Sequence, residues 1–537
     1  MLSVVSTAAL HGLDAVAVNV ETDITNGLPA FHIVGLADIG VKEARERIRS
    51  AVVNSGCRMP TARIIINMSP ADVRKRGTHL DLPMAMGILA DTGQILAEET
   101  QGCVFIGELS LDGTIRRVNG ILPMLLQMAR LGFRRAVIPQ GNRREAGLVR
   151  GIDLYPASHL REVIDHFNLA APLPRIGRDE RQLPDGGKPG GPDFVEVRGQ
   201  EYAKRAIVIA AAGGHGLLMT GSPSTGKTML AERIPSILPG MSYEEVLEVT
   251  RIYSVAGLLD ENLPYITERP FRRPHHSITP AGLVGGGAVP VPGEITLADK
   301  GVLFLDEFGE FDRGTIDMLR QPLENRKIEI SRLSERFVFP ADFLLVAASN
   351  PCRCGYYGDE EHECRCTASE IERYRSRISG PIMDRIDLHI TLRNVRYREL
   401  TGGASVTSAQ MREQVERARR IQAERFRGTG VQRNGQLDSR TAERFIQFEE
   451  EAQARLGMLY DTYALNPRTF LKIRKVARTI ADLEGAERIC WEHVAEAVQY
   501  REETPGRRPP VTEDASSAGE QSGSGKGRRG GAAGWTD

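Results

Sequence analysis

The sequence predicts an α/β protein in three parts: a mixed α+β segment, then a domain built on a parallel sheet, then a helical domain. Three observations predict this. Strand-like and helix-like runs alternate from about 195 to 395, the pattern of a parallel sheet. Within that region LLMTGSPSTGKTMLAERI (217–234) carries three apolar residues and a threonine into a glycine-rich turn, a Lys-Thr pair and a helix-like run. From SAQMREQVERARRIQAERFRG (408–428) to about 501 the chain reads as helix.

At 537 residues the chain is too long for one hydrophobic core, and two to four domains are expected. Sixty-nine basic and 70 acidic residues leave a net charge of -1, so any nucleic-acid site has to be a local basic patch. The opening MLSVVSTAALHGLDAVAVNVE has no basic residue before its apolar stretch and soon meets Asp14 and Glu21. It suits neither a signal peptide nor a membrane span. Seven cysteines, four of them close together, favour a reducing cytoplasm and a metal site over disulfides.

Taken in order, residues 1–170 form the mixed segment. VKEARERIRSAVVNSG (41–56) has helical spacing, with Ile48, Val52 and Val53 on one face and Gly56 as a stop. RIIINMSP (63–70) and GCVFIGELSLDG (102–113) read as strands, the second ending in an Asp-Gly turn. Residues 171–194, rich in Pro, Gly and charge, read as a linker. AIVIAAAGGHGLLMTG reads as helix, turn and strand, opening a core over 195–395. The helical domain covers 396–501, and 502–537, rich in Gly, Ser, Ala and charge, reads as a disordered tail.

The chemistry sits in the core. G-x-x-x-x-G-K-T between a strand and a helix is a phosphate-cradling loop, here Gly221, Ser222, Pro223, Ser224, Thr225, Gly226, Lys227 and Thr228. Its N–H groups and the helix start face one concavity; Lys227 reaches β/γ-phosphates and Thr228 offers a hydroxyl to Mg²⁺. KGVLFLDEFGEF (300–311) reads as a buried strand ending in two carboxylates: Asp306 for Mg²⁺ and Glu307 to orient and deprotonate a water. FLLVAASNPC (343–352) is a further apolar strand, ending in Asn350, an amide suited to sense a γ-phosphate. CRCGYYGDEEHECRC (352–366) holds two C-x-C pairs, Cys352 and Cys354, Cys364 and Cys366, a set that suits tetrahedral zinc in a structural role. RRPHH (272–276) has adjacent histidines but no matching carboxylate spacing, and reads as a basic loop or a structural turn.

The phosphate loop, LFLDEF, the sensor Asn and a trailing helical domain resemble the AAA+ ATPases. Longer strings narrow this: RPFRRPHHSITPAGLVGGG (269–287), NPCRCGYYG (350–358), SGPIMDRIDLHI (379–390), RKVARTIADLEG (474–485), GLPAFHIVGLAD (27–38) and HLDLPMAMGILA (79–90) are similar to magnesium-chelatase-like proteins of the ComM/YifB type. The likeness covers about 1–501. One departure is Ser224, where the family commonly has glycine. The resemblance implies an N-terminal Lon-protease-like (S5 domain 2-like) fold, an AAA+ P-loop core and a helical lid. It implies a homo-hexamer with ATP between subunits, Arg385 as a finger acting on a neighbour's site, and Arg468 as a second sensor. It implies a DNA branch-migration helicase; the alternatives are a chelatase motor subunit, which as the family is known lacks the N-terminal domain, and a Lon-type protease. Proteolysis is disfavoured, because Met84 and Leu122 stand where the Ser and Lys should be.

Two inserts are candidates for gripping single-stranded or branched DNA. One carries Arg272 and Arg273 ahead of a glycine tip. The other, ENRKIEISRLSERFVFPADF (324–343), reads as a hairpin with Arg332 at its tip and Arg326 and Lys327 on its first arm. In the helix-two-insert group that this chain resembles, such hairpins line a central pore. A ring of basic side chains there would hold phosphates without reading bases.

Overall fold

The computed structural model describes residues 2–36, 38–177, 191–287, 290–332, 335–401 and 405–501. Most of the predicted linker (178–190) and the whole predicted tail (502–537) lie outside the described residues.

The chain is a mixed α/β protein, as the strand and helix signals require. The first part is built on a seven-stranded mixed sheet. Its two longest strands, Ser3–His11 and Asp14–Thr25, form an antiparallel hairpin, and Asp14–Thr25 pairs antiparallel with Arg63–Ser69. Cys103–Phe105, Arg135–Pro139 and Asp153–Ala157 then run parallel beyond Ser3–His11. Two helices, Asp81–Asp91 and Ile121–Arg130, are apolar enough to sink into this core. Helix Ala44–Asn54 buries Ile48, Ala51 and Val52. Val53, expected on that face, is instead 52% exposed. It is one residue, about 100°, further round the helix than Val52.

The central part is a five-stranded sheet, parallel throughout. Its order is Phe271–Arg272, Val302–Leu305, Leu344–Ser349, Leu217–Gly221 and Leu388–Leu392. All four residues of Val302–Leu305 and all six of Leu344–Ser349 are buried, as suits strands covered on both faces. Gly301 is required where the first two strands close up, since a Cβ there would lie 2.0 Å from the Pro270 carbonyl oxygen. Helix Glu201–Gly213 buries ten residues, then Gly214 at φ +70 turns the chain back into the Leu217–Gly221 strand.

The last part is helical, and a polar network ties it to the sheet. Buried Asp482 accepts from Arg425 and Asn434 and pairs with Arg478 at 3.0 Å. Buried His215, just before the phosphate-loop strand, bonds Asp387 at 2.9 Å and Thr479 of the helical domain at 2.8 Å. Burial alone would raise the Asp387 carboxyl, but Lys472 and His215 hold it well below its usual range.

The basic insert at 324–343 is an antiparallel hairpin, Lys327–Arg332 with Glu335–Pro340. The first domain rests on it. The His11 ring lies 4.9 Å from the Phe337 ring, and Leu13 is buried in the same cluster as Phe337 and Phe339. Elsewhere the Gly120 N–H donates to the Ser254 carbonyl at 3.0 Å, joining the two parts through main chain. No helix among the described residues is long and apolar enough to cross a membrane.

Candidate functional site

Three neighbouring strands of the parallel sheet end side by side, where α/β sheets place their ligands. Leu217–Gly221 leads into the phosphate loop, Val302–Leu305 into Asp306 and Glu307, and Leu344–Ser349 into Asn350. The site is therefore assembled by register alone. Thr220 faces Ser349, and Leu305 faces Ala347.

Gly226 sits at φ +88 at the start of helix Lys227–Arg233. Ser224, where the turn would suit glycine, takes φ +67. Glu307 takes φ +51. Left-handed backbone at two non-glycine residues stores about 1–3 kcal/mol each, a cost met where surrounding structure dictates the conformation.

The Lys227 ammonium donates to the carbonyls of Gly221 (2.7 Å) and Ser222 (2.9 Å) and to Asn350 Oδ1 (3.3 Å). Burial lowers it to about 8, against the attraction of Asp306. Thr228 Oγ1 donates to Asp306 Oδ2 at 3.0 Å. The Thr225 hydroxyl donates to the Ser222 carbonyl at 2.8 Å, closing the loop on itself. The structure thus brings Lys227, Thr228, Asp306 and Asn350 into one bonded group. A hydroxyl beside a carboxylate is an oxygen donor set of the kind Mg²⁺ takes with few protein ligands, so these residues fit that ion.

Two residues of the RRPHH run belong to this group. Arg273 pairs with Asp306 at 2.6 Å and with Glu232 at 3.5 Å. His276 Nδ1 lies 3.1 Å from Glu307 Oε2. Sequence alone gives a basic loop or a structural turn here, because it does not show that Phe271–Arg272 is the strand beside Val302–Leu305. That pairing delivers residues 273–276 onto both carboxylates.

The candidate DNA contacts fare unevenly. Arg272 is not free: it makes a two-pronged bond to Glu294, 2.7 Å on each prong. Arg273 faces the Mg²⁺-type carboxylate. Arg326 is not on the hairpin arm; it caps helix Arg320–Asn325 at φ +54, half-buried at the hairpin base, where burial lowers its pKa. Lys327 is exposed but starts the arm opposite Pro340, far from the tip, and pairs with Glu329 at 2.9 Å. Arg332 does close the first arm, in register with Glu335. Leu333 and Ser334, at the tip, lie outside the described residues. Exposed Arg336, on the returning arm, was missed; it pairs with Glu329. In the other insert, Gly285–Gly286 pairs with Val291–Pro292 as a short hairpin.

Arg385 lies in the turn before strand Leu388–Leu392. It donates to Glu324 and, at 2.6 Å, to the Pro381 carbonyl of its own chain. Arg468 is exposed in the first turn of helix Pro467–Glu484. Neither is joined by a hydrogen bond or ion pair among the described residues to the loop or to Asp306. Met84 and Leu122 are both fully buried apolar residues, in separate clusters of the first domain.

Comparison with known proteins adds to this geometry. Residues 193–400 match the family model described as magnesium chelatase, subunit ChlI. Residues 20–142 match subunit ChlI of Mg-chelatase, and 405–501 match the ChlI C-terminal model. Among individual proteins, the chain is 42% identical over 506 residues to competence protein ComM of Haemophilus influenzae, covering 93% of this chain and 97% of that one. It is 40% identical over 508 residues to the uncharacterized protein YifB of Escherichia coli, with the same coverage. The magnesium-chelatase 67 kDa subunit of Chlorobaculum parvum is 26% identical over 162 residues, 29% of this chain and 23% of that protein.

Proposed function

The chain belongs to the ComM/YifB family of magnesium-chelatase-like AAA+ proteins, and from that premise we propose that it is a cytoplasmic, ring-forming ATPase that moves DNA, driving branch migration during uptake and recombination. The observation that carries the reading is the bonded group Asn350–Lys227 and Thr228–Asp306 at the C-terminal ends of the three inner strands of the parallel sheet. Bound Mg²⁺-ATP would supply the phosphoryl group whose transfer to water does the work. Lys227 and the loop N–H groups hold the phosphates. Thr228 and Asp306 hold the ion. Glu307, exposed beside Asp306, orients and deprotonates the water, and Asn350 reports on the γ-phosphate. Arg385 of an adjoining subunit completes the charge balance, so hydrolysis depends on the hexamer. Arg468 is the second sensor, closing with the helical domain. The hairpins ring a central pore and hold single-stranded or branched DNA by its phosphates.

A chelatase subunit remains the alternative motor. The N-terminal match to a model bearing the chelatase name removes the simplest argument against it, the presence of that domain. The near full-length likeness to a competence protein, against 29% coverage by a chelatase subunit, favours DNA. The deciding experiment measures ATP turnover alone and with single-stranded, duplex and forked DNA. Stimulation by forked DNA with strand displacement supports the reading; turnover indifferent to all three refutes it.

A further inference from the structure

The four cysteines of the 352–366 excursion converge. The sulfurs of Cys352, Cys354 and Cys364 lie 3.3, 3.7 and 3.6 Å apart, and with Cys366 all four fall within 4.8 Å of one another. Four thiolates at about 2.3 Å from a tetrahedral Zn²⁺ stand about 3.8 Å apart. A disulfide would bring a pair to about 2.05 Å, and all four are free thiols. The backbone serves the same end. The N–H groups of Tyr356 and Arg365 donate to the Cys354 sulfur, and Gly355 at φ +90 and Gly358 at φ +80 turn the chain around it.

A second observation is independent of the sulfurs. The excursion leaves the sheet directly after Asn350 and folds back onto the phosphate loop. A Cβ on Gly355 would lie 2.8 Å from Pro223 Cδ. Asp359 accepts a bond from the Ser222 side chain, and is itself fixed by the N–H groups of Glu361 and His362, 2.9 Å each. Asn394, just past the last strand, donates to Glu361 at 3.3 Å. Away from the helix, the loop is therefore braced by this excursion, by the end of that strand and by Gln200, whose amide donates to the Thr225 carbonyl at 3.4 Å.

We propose that Cys352, Cys354, Cys364 and Cys366 bind one structural zinc ion, and that the resulting knuckle is a buttress that holds Ser222 and Pro223 of the phosphate loop in their binding shape. The metal site stands on the thiols alone; its effect on the loop rests on the nucleotide reading above. The chain would then meet metal loss or thiol oxidation with a loss of nucleotide affinity, although no cysteine belongs to the phosphate loop.

The test uses the full chain. Elemental analysis should find one zinc per chain, displaced by a mercurial thiol reagent and reported by a chromogenic zinc indicator. Affinity for a fluorescent ATP analogue should fall about tenfold on zinc release, the worth of one hydrogen bond to a charged group. Asp359→Ala should keep the zinc and lose affinity by a similar factor. Lys227→Ala should keep the zinc and lose nucleotide binding, while Cys364→Ser should lose the zinc. Absence of stoichiometric zinc, or iron with visible absorbance in its place, would overturn the metal site. Zinc with affinity unmoved by both its release and Asp359→Ala would overturn the buttress. Zinc in a parent that binds no nucleotide would refute the nucleotide reading and the buttress while leaving the metal site standing.

Discussion

Raising the pH from 7 to 9 should remove the charge from Lys227 before it affects any other lysine of ordinary pKa. Burial sets the Lys227 ammonium at about 8, with Asp306 pulling the other way. A group of that pKa is about 90% protonated at pH 7 and about 10% at pH 9. Phosphates placed beside it would raise its pKa, so the bound form keeps its proton where the free form has lost it. ATP affinity should then be level below about pH 7.5 and fall about tenfold between pH 7 and 9. Stability of the free protein moves the other way on this account. The unfolded lysine titrates near 10.4, so between about 8 and 10.4 the unfolded chain binds the extra proton, and Lys227 adds stability as pH rises through that window. The assay is titration of a fluorescent ATP analogue at saturating Mg²⁺ from pH 6.5 to 9.5. The control is Lys227→Arg, whose guanidinium stays charged throughout. Flat affinity from pH 7 to 9 in the parent, or an equal fall in the Lys227→Arg protein, would refute the reasoning.

Glu307→Gln should bind ATP as the parent does but turn over at least a hundredfold more slowly, since general-base assistance is worth about 10²–10⁴ in rate; normal single-turnover kinetics would remove Glu307 from that role. Arg385→Ala should be almost inactive alone yet regain some turnover when mixed with Lys227→Ala, and a co-assembled mixture that stays dead would put Arg385's action within its own subunit. Ser224→Gly should raise thermal stability by about 1 kcal/mol, by relieving the left-handed serine, without weakening nucleotide binding; a drop in melting temperature would show that the serine side chain holds the loop. Arg332→Ala with Arg336→Ala should weaken forked-DNA binding and flatten its salt dependence while sparing basal turnover, whereas Arg273→Ala should slow basal turnover because it abuts Asp306. Unchanged DNA binding in the hairpin pair would end the pore reading.

What could be read from the sequence were features carried by contiguous residues. The loop from Gly221 to Thr228, the strand ending in Asp306 and the hairpin around 324–343 are each written in one short stretch, where apolar period, glycines and charges occur together. What escaped depends on which strands become neighbours. Arg273 and His276 reach Asp306 and Glu307 only because Phe271–Arg272 pairs with Val302–Leu305. Arg272 and Arg326 looked like exposed basic residues, yet Glu294 and the hairpin base claim them. Val53 failed for a simpler reason: the buried face runs from Ala51 through Ile48 to Val52, and Val53 lies about 100° beyond its Val52 edge. The four-cysteine cluster was legible as a ligand set, but its contact with Ser222 and Pro223, well over a hundred residues earlier in the chain, was not.

The seat of the first domain on the hairpin has a mechanical consequence. Phe337 stacks near the His11 ring and shares one buried apolar cluster with Leu13 and with residues of the central sheet. A hairpin that tilts during a nucleotide cycle must either drag the first sheet with it or slide across that aromatic contact. On the proposed reading, the N-terminal domain would act as a load on a hairpin that moves. Cutting it away would expose Phe337 and leave the hairpin on a softer hinge. A truncated core would then report the stiffness of a different machine, with faster hairpin motion and weaker transmission of force than the full chain.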